Sequence, residues 1–457
     1  MKTPLLPALI EQLALAALTL PDPRPRSKVI DLGLGLLCGQ LPKTVTSALE
    51  WLDLTQADWS PDYRLFSQAQ WNAPDFFVPV FRQTVGLLGP APVRIYVGQD
   101  DTLIRKTGKK IPGVSYARDP LSPPFHVNLV RGQRFVQSSV LLQPRGSQHP
   151  WRAIPVQFTH APVPKIPRLA TPEEMAAIKE IRKKRRLSLV ALEHLRFCRQ
   201  QLDLMPGGAH AQLSSVVDGG YANATYLSGL PERTDTTARI RKDARLRAYL
   251  PPEQRRKARK YGPDLPTPLE YLRDDHLPWT PVDLFIAGQM RTLQYKEVAP
   301  VCWVRGAKAR PLRLILIKAA GYRLCQNSKL LYREPAFLIT TDLTTPAAEL
   351  IAAYQGRWEV EVNFRDEKTL LGVGQAQVRQ PLAVERAPLF LVACYALLLL
   401  CCLQVYGDQR GEDFEKLPRW RRSTPLRPST RDLIRRLQKE ASEYPTQREK
   451  LNPFCRN

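Results

Sequence analysis

The sequence lacks the spacings that zinc sites and redox-active disulfides use. Its eight cysteines are scattered along 457 residues, none forms a CxxC pair, and its six histidines show no HxxxH spacing. Cys401 and Cys402 are adjacent, but they lie in an apolar run. This pattern favours reduced thiols and argues against a zinc centre or a disulfide framework.

Negative charge is also scarce. The chain carries 67 Lys and Arg against 43 Asp and Glu, which gives a formal net charge of +24. A charge of this size favours a polyanionic partner, and nucleic acid is the commonest one.

The apolar run at 5–20 is interrupted by Glu11 and Gln12 and has no small-residue cleavage site, so we do not expect a signal peptide.

One apolar run is nearly long enough to cross a membrane. Residues 387–405 are almost wholly apolar over ~19 positions, which is close to membrane-spanning length. Pro388 and Gln404 lie within the run, and a highly charged segment precedes it. These features favour a buried helix packed on a core sheet and leave a membrane anchor as the alternative.

The most informative segment is the charged stretch 354–368. If it forms a continuous helix at ~100° per residue, four side chains lie within an arc of roughly 60° on one face. They are Tyr354, Arg357, Glu361 and Lys368, and Arg365 lies beside them. Glu359 and Glu367 point well away from this face. One carboxylate among a phenol and three cations suits a metal ion held next to a phosphate. The alternative is an amphipathic helix with chance charges.

Two strand-like runs end in acids. The first ends at Asp100 and Asp101, and the second ends at Asp218 before a Gly-Gly turn. Carboxylates at strand ends and on a facing helix can converge on divalent ions, which prefer hard oxygen ligands. Strand alternation does not choose between Asp100 and Asp101, and either site would otherwise be an ordinary acidic turn.

The spacing Y-x2-R-x3-E-x6-K resembles the YREK signature of DDE insertion-sequence transposases, a bacterial cut-and-paste family with a ribonuclease-H-like core. The triplet Asp100-Asp101-Thr102 is similar to the D-x-T of the family's first motif, which favours Asp100. The run Val-Val-Asp-Gly-Gly-Tyr-Ala-Asn around Asp218 resembles its second motif. The resemblance implies that Asp100, Asp218 and Glu361 are the catalytic metal ligands.

The resemblance also implies a reaction and its partners. The reaction would be metal-dependent strand cleavage at transposon ends and strand transfer into target DNA, with Mg²⁺, which Mn²⁺ can replace. The partners would be double-stranded DNA and a second copy of the chain in the synaptic complex, in the bacterial cytoplasm at the nucleoid and without a membrane. The DNA contacts would be Tyr354, Arg357, Arg365 and Lys368. The alternative is a non-catalytic DNA-binding protein descended from such an enzyme.

We predict an α/β fold with a ribonuclease-H-like mixed-sheet core. A β-rich insertion interrupts this core, and helical N-terminal and basic helical C-terminal regions flank it. The predicted units are 1–90, helical and DNA-end-binding; 91–224, the first part of the core; 225–333, the insertion; 334–407, the second part of the core; and 408–457, the basic tail. For the first unit, the alternative is a helical cap on the core.

Three basic stretches fit contacts to the DNA backbone: 179–186, 233–260 and the tail. Together they indicate a long DNA footprint with a steep salt dependence, although each alone fits a solvated surface. Trp303, in the predicted insertion, has a side chain that can stack on an unpaired base. Core packing is the commoner role for such a residue.

Overall fold

The computed structural model describes residues 4–454 apart from 91, 109, 120–121, 124, 127, 165, 257–259, 287, 323–328, 422–423 and 444–452. The chain begins with a helical region: α1 (Leu5–Ala17), α2 (Arg26–Cys38), α3 (Val45–Trp51), α4 (Ser60–Ser67) and α5 (Val78–Gly86). The next elements are β1 (Arg94–Arg105), β2 (Ser115–Arg118), β3 (Leu129–Leu142), β4 (Arg152–His160), α6 (Pro172–Lys184), α7 (Leu187–Asp203), β5 (Gln212–Val217) and α8 (Ala224–Ser228).

The second half of the chain is richer in strands. It contains β6 (Thr234–Arg239), β7 (Leu246–Ala248), β8 (Asp264–Leu265), α9 (Pro268–Arg273), β9 (Thr280–Ile286), β10 (Gln289–Cys302), α10 (Val304–Ala307), β11 (Leu312–Ile317), β12 (Gly321–Tyr322), β13 (Leu331–Tyr332) and β14 (Ala336–Thr340). Four helices follow: α11 (Ala347–Gly356), α12 (Trp358–Thr369), α13 (Pro381–Tyr406) and α14 (Thr430–Glu443).

Twelve of the described strands form one mixed sheet. Its order is β2-β3-β1-β5-β6-β14-β11-β10-β7-β8, with β4 paired to β3 and β9 paired to β10. The three central strands β1, β5 and β6 run parallel to one another, whereas β3 and β14 flank them in antiparallel pairings. The α/β class predicted from the sequence is therefore confirmed.

The three parallel strands are level with one another near the carboxyl ends of β5 and β6, whereas β1 continues to Arg105, past the strand end that the sequence suggested at Asp100 and Asp101. The register aligns Val217 of β5 with Gln99 of β1 and with Ala238 of β6. The next residues along the three strands are therefore level with one another: Asp100, Asp218 and Arg239. Because side chains alternate between the faces of a sheet, residues that are level on parallel strands point to the same face.

Helices α11 and α12 cover that face of the sheet. Leu350 of α11 belongs to a buried apolar cluster with Val216 of β5 and Leu338 of β14. Gly98 of β1 lets α12 approach closely, since a Cβ atom there would lie 3.0 Å from Cγ2 of Val360. The packing thus brings the start of α12 over the strand that carries Asp100.

The apolar run 387–405 lies within α13, which is buried in the protein. By length and composition this helix is able to span a membrane, but 89% of its most apolar window is buried. It packs against β4 and against helices α1, α2, α4 and α5 of the N-terminal region. This packing accounts for the apolar composition of the helix, so the structure does not support the membrane-anchor alternative.

The N-terminal helices share a hydrophobic core with the rest of the protein. Leu9 of α1, Leu34 of α2, Phe158 of β4 and Leu397 of α13 belong to one buried cluster. The arrangement matches the alternative of a helical cap on the core. DNA-end binding by residues 1–90 stays a prediction.

The strand pairing revises the predicted insertion at 225–333. β6 lies within that range, yet it pairs with β5 and β14 in the middle of the sheet. β10 and β11 then extend the same sheet beyond β14. The segment between β6 and β14 is therefore an extension of the sheet rather than a subdomain that leaves it, and the boundary at 225 was wrong. Local strand patterns do not reveal a strand's partners, which explains the error.

Two smaller features concern the basic stretch at 179–186 and Trp303. α6 and α7 are separate helices, divided at Arg185 and Arg186. Trp303 is partly buried against the main core, and a Cβ atom on Gly306 would lie 2.0 Å from its ring. In this structure Trp303 packs in the core, which is the commoner of the two roles considered for it.

Candidate active site

Arg357 connects two acids that are far apart in the sequence. Its Nη1 lies 2.7 Å from Oδ2 of Asp100 on β1, and its Nη2 lies 3.3 Å from Oε1 of Glu361 on α12. One guanidinium therefore contacts both carboxylates, and the strand and the helix are held together at this point.

Arg357 lies at the junction between α11 and α12. The sequence predicted one helix through this position, whereas the structure has two helices that meet there. The side chain is only 8% exposed, and its Nε atom has no hydrogen-bond partner among the described residues. Its Cζ lies 5.7 Å from the ring centroid of Tyr354, within the range of a cation–π contact.

Asp218 extends the acidic group along the edge of the sheet. It directly follows β5, is level with Asp100 and is half-buried. Burial is the main cause of the raised pKa values of Tyr354 and Glu361, and the nearby carboxylate of Asp218 adds to both. The charge of Asp218 therefore acts on the same group of residues that surrounds Arg357.

The site has an excess of negative charge. Burial raises the pKa of Asp100 to about 6, although the guanidinium of Arg357 acts in the opposite direction. The carboxylates of Asp101 and Glu361 add to the increase. Because one guanidinium does not offset the acids around it, this environment favours the binding of a further cation.

Asp101 is engaged on a different side of the strand. Its Oδ2 accepts a hydrogen bond from Nε of Arg134 at 2.7 Å, and its Oδ1 accepts one from the hydroxyl of Tyr221 at 3.4 Å. Tyr221 belongs to the main hydrophobic core. Of the two adjacent acids, Asp100 is the one that shares Arg357 with Glu361.

Arg365 and Lys368 lie farther along α12. The guanidinium of Arg365 is exposed and lies 2.9 Å from the carboxylate of Asp366. Lys368 lines a surface groove with Arg105 at the end of β1, and its Nζ lies 5.9 Å from the ring centroid of Phe364. These two predicted DNA contacts are thus beside the central group, whereas Tyr354 and Arg357 are within it.

The two acids that were predicted to point away from Glu361 have other environments. Glu359 accepts a hydrogen bond from Arg427 of the C-terminal segment. Glu367 is 1% exposed, and burial raises its pKa to about 8. Its Oε1 has no hydrogen-bond partner among the described residues.

The C-terminal segment contacts α12 at a second point. The hydroxyl of Thr430, at the start of α14, donates a hydrogen bond of 2.6 Å to Oδ2 of Asp366. Tyr395 of α13 bonds to both Thr430 and Asn363 of α12. Part of the tail that the sequence suggested for DNA binding therefore supports the helix that carries Glu361.

The donor set suits a hard divalent cation. Asp100, Asp218 and Glu361 all offer carboxylate oxygens, the ligands that Mg²⁺ prefers. Within the described part of the chain, no three His, Cys, Asp or Glu side chains already stand close enough to hold a metal ion. In this arrangement, the guanidinium of Arg357 contacts both Asp100 and Glu361.

Sequence reasoning did not single out one cation at this edge. Arg239 is the last residue of β6, is exposed, and is level with Asp218. Its positive charge acts on Tyr354. Burial raises the pKa of the Tyr354 hydroxyl, and the charge of Arg239 lowers it. Only the strand register places it here, because in the sequence it is one of many arginines in a basic stretch.

Comparison with protein families gives a match over most of the first two thirds of the chain. Residues 18–310 match the model of the DDE superfamily endonucleases, and this segment contains Asp100 and Asp218 but ends before Glu361. No curated protein matches the chain significantly. Because the matched segment spans more than half of the 457 residues, the chain belongs to the DDE superfamily of endonucleases, a family of enzymes that act on DNA.

Proposed function

We propose that the protein is a DNA transposase of the insertion-sequence type, which cleaves strands at transposon ends and transfers them into target DNA. The observation that carries the proposal is the contact of Arg357 with both Asp100 and Glu361, beside Asp218. These three acids come from three separate segments of a DDE endonuclease chain. The Y-x2-R-x3-E-x6-K spacing from Tyr354 supports the transposase assignment within that family.

In this proposal, Asp100, Asp218 and Glu361 hold Mg²⁺, or Mn²⁺ in its place. Bound ions of this kind activate the attacking oxygen and stabilise the leaving oxygen of a phosphodiester. The chain fixes Asp100 within β1, Asp218 directly after the parallel strand β5, and Glu361 on α12. Tyr354 and Arg357 lie beside them, where a hydroxyl and a guanidinium can donate hydrogen bonds to phosphate oxygens.

The order of elements supports a ribonuclease-H-like core. The antiparallel strands β1, β3 and β4 are followed by helices, and then by β5, which pairs with β1 in parallel. The acids lie at β1, at the end of β5 and on a helix that covers the same face. This is the arrangement that the resemblance implies for a DDE transposase.

The surface of the chain supports DNA as the partner. The formal net charge is +24, and α6, which contains much of the basic stretch 179–186, has no buried residue along its described length. The exposed side chains of Lys183 and Lys184 in its last turn suit contact with a phosphate backbone. Bringing two transposon ends together calls for a second copy of the chain, so we propose a homodimer in the DNA complex.

The test is cleavage of labelled duplexes taken from the DNA on either side of the coding region, with Mg²⁺. Asp100→Asn, Asp218→Asn and Glu361→Gln preserve the size of each side chain and remove its negative charge. Each variant should lose cleavage yet retain binding in a gel-shift assay, because many cations share the affinity. The matched control is Asp22→Asn, which removes a partly exposed acid paired with Arg24 and should cleave normally.

Two outcomes would overturn the assignment. Normal cleavage by Glu361→Gln would show that Glu361 of α12 does not belong to the catalytic group. Binding without cleavage by the unaltered protein, on ends that it recognises, would favour the alternative of a non-catalytic DNA-binding protein.

A further inference from the structure

Arg239 occupies a defined position at the edge of the sheet. It is level with Asp218 on one side and pairs with Leu338 of β14 on the other. Leu338 belongs to the buried cluster beneath α11. Because paired residues on adjacent strands point to the same face, the side chain of Arg239 lies on the face that carries Asp100 and Asp218.

The guanidinium of Arg239 is open to solvent. It forms no hydrogen bond or ion pair with any described residue, and its neighbour across the edge is the turn that follows Asp218. A Cβ atom on Gly219 would lie 3.4 Å from the carbonyl oxygen of Arg239 and 3.9 Å from its Cβ. The absence of a side chain at Gly219 therefore leaves room beside Arg239.

Other arginines around these strands are already paired. Arg94, at the start of β1, lies 2.9 Å from Asp342, and Arg241, just beyond β6, lies 2.8 Å from Asp243. Arg357 is shared between two carboxylates. Arg239 differs from all three because its charge is not paired with a carboxylate of any described residue, although it lies beside a group of acids.

We propose that Arg239 binds a DNA backbone phosphate next to the scissile one, on the side of the site where Asp218 lies. A guanidinium can grip two oxygens of one phosphate, which fixes direction as well as distance. The inference rests on the proposed function, since it requires DNA to cross this edge. Arg239 is then a positioning residue that sets the path of the strand over the three acids.

Single-turnover cleavage at saturating protein is the first measurement. Arg239→Ala should reduce the rate by about 10-fold to 100-fold, because small errors in the placement of reacting groups are costly. DNA affinity should fall by less than about threefold, since many cations share it. Arg239→Lys keeps the positive charge but loses the guanidinium that can grip two phosphate oxygens, so it should recover only part of the cleavage rate.

The matched control is Arg196→Ala. Arg196 is an exposed arginine on α7, and α7 packs on the opposite face of the sheet, where Ala191 accepts a hydrogen bond from Gln99. This variant removes the same charge far from the acids and should cleave at the unaltered rate. Equal rates for Arg239→Ala and Arg196→Ala would overturn the inference.

Neutral methylphosphonate substitutions in the DNA give the second measurement. One such substitution near the scissile phosphate should slow the unaltered protein, yet cause no further loss in Arg239→Ala, because that variant has already lost the contact. Losses that multiply at every position would overturn the inference, and this comparison does not depend on the absolute activity of the variant. Normal cleavage by Asp218→Asn would instead contradict the proposed function itself.

Discussion

The carboxylate of Glu359 accepts a hydrogen bond from the guanidinium of Arg427, which ties the first turn of α12 to the C-terminal segment. Both side chains are largely buried, at 17% and 18% exposure. Glu359 is two residues from Glu361, so this pair fixes the helix on the side away from Asp100 and Asp218. A residue that helical spacing places outside the active site is thus positioned to control the orientation of Glu361.

We expect Glu359→Ala to destabilise the protein and to slow cleavage. Removing the carboxylate leaves Nη2 of the partly buried Arg427 without its partner, which costs about 1–3 kcal/mol, although Nη1 still donates to the carbonyl oxygen of Trp151. Denaturant unfolding measures the free energy, and single-turnover cleavage at saturating protein measures the rate. The charge swap of Glu359→Arg with Arg427→Glu should recover part of both losses. If the swap is no better than either single variant, the pair does not act through its charges.

Arg357 should matter more for cleavage than Arg365 does. Arg357 contacts Asp100 and Glu361, whereas Arg365 is turned toward Asp366 and is exposed. We therefore expect Arg357→Ala to lower single-turnover cleavage by ~100-fold, and Arg365→Ala to lower it by much less. DNA affinity, measured by gel shift, should change little in both. Equal losses of rate would mean that DNA binding draws Arg365 into the site.

Divalent ions should be needed for cleavage but not for folding. The guanidinium of Arg357 already contacts Asp100 and Glu361, so these two carboxylates have a partner without an ion. We expect EDTA to abolish cleavage while thermal unfolding and gel-shift binding stay the same, and Mn²⁺ to restore cleavage. Loss of the folded state in EDTA would assign the ion a structural role instead.

The sequence indicated the group around Glu361 because local patterns carry it. Helical spacing predicted that Tyr354, Arg357 and Glu361 share a face, and the structure has Arg357 in contact with both of the others. Strand ends likewise suggested Asp100 and Asp218, which the pairing register makes level. Their catalytic roles stay predictions.

The remaining features depend on contacts between distant segments. The position of β6 inside the sheet, and with it that of Arg239, follows from a pairing register that a single sequence does not display. The contact between Glu359 and Arg427 joins α12 to a segment that read only as basic and proline-punctuated. The break between α11 and α12 falls directly after Gly356, a residue type that often marks the end of a helix, and the sequence interpretation continued one helix through it.

Glu367 makes stability depend on pH. It is buried, with Oε1 unpaired among the described residues, and burial raises its pKa from an ordinary 4.5 to about 8. Below pH 4.5 the carboxyl is protonated in both the folded and the unfolded chain. As the pH rises toward 8, the unfolded chain loses this proton and the folded chain keeps it, so the stability that depends on the proton is progressively lost.

Glu367→Gln should remove this dependence because the amide stays neutral at every pH. Each unit of pKa shift corresponds to ~1.4 kcal/mol, so the variant should gain up to a few kcal/mol over the unaltered protein as the pH rises. The measurement is the difference in Tm between the two proteins from pH 4.5 to pH 9, which should grow up to about pH 8 and then level off. Glu253→Gln, an exposed acid outside the core, is the control and should show no such trend. A constant difference across this range would mean that Glu367 is ionised in the folded protein, where the charge of Lys368 acts to lower its pKa.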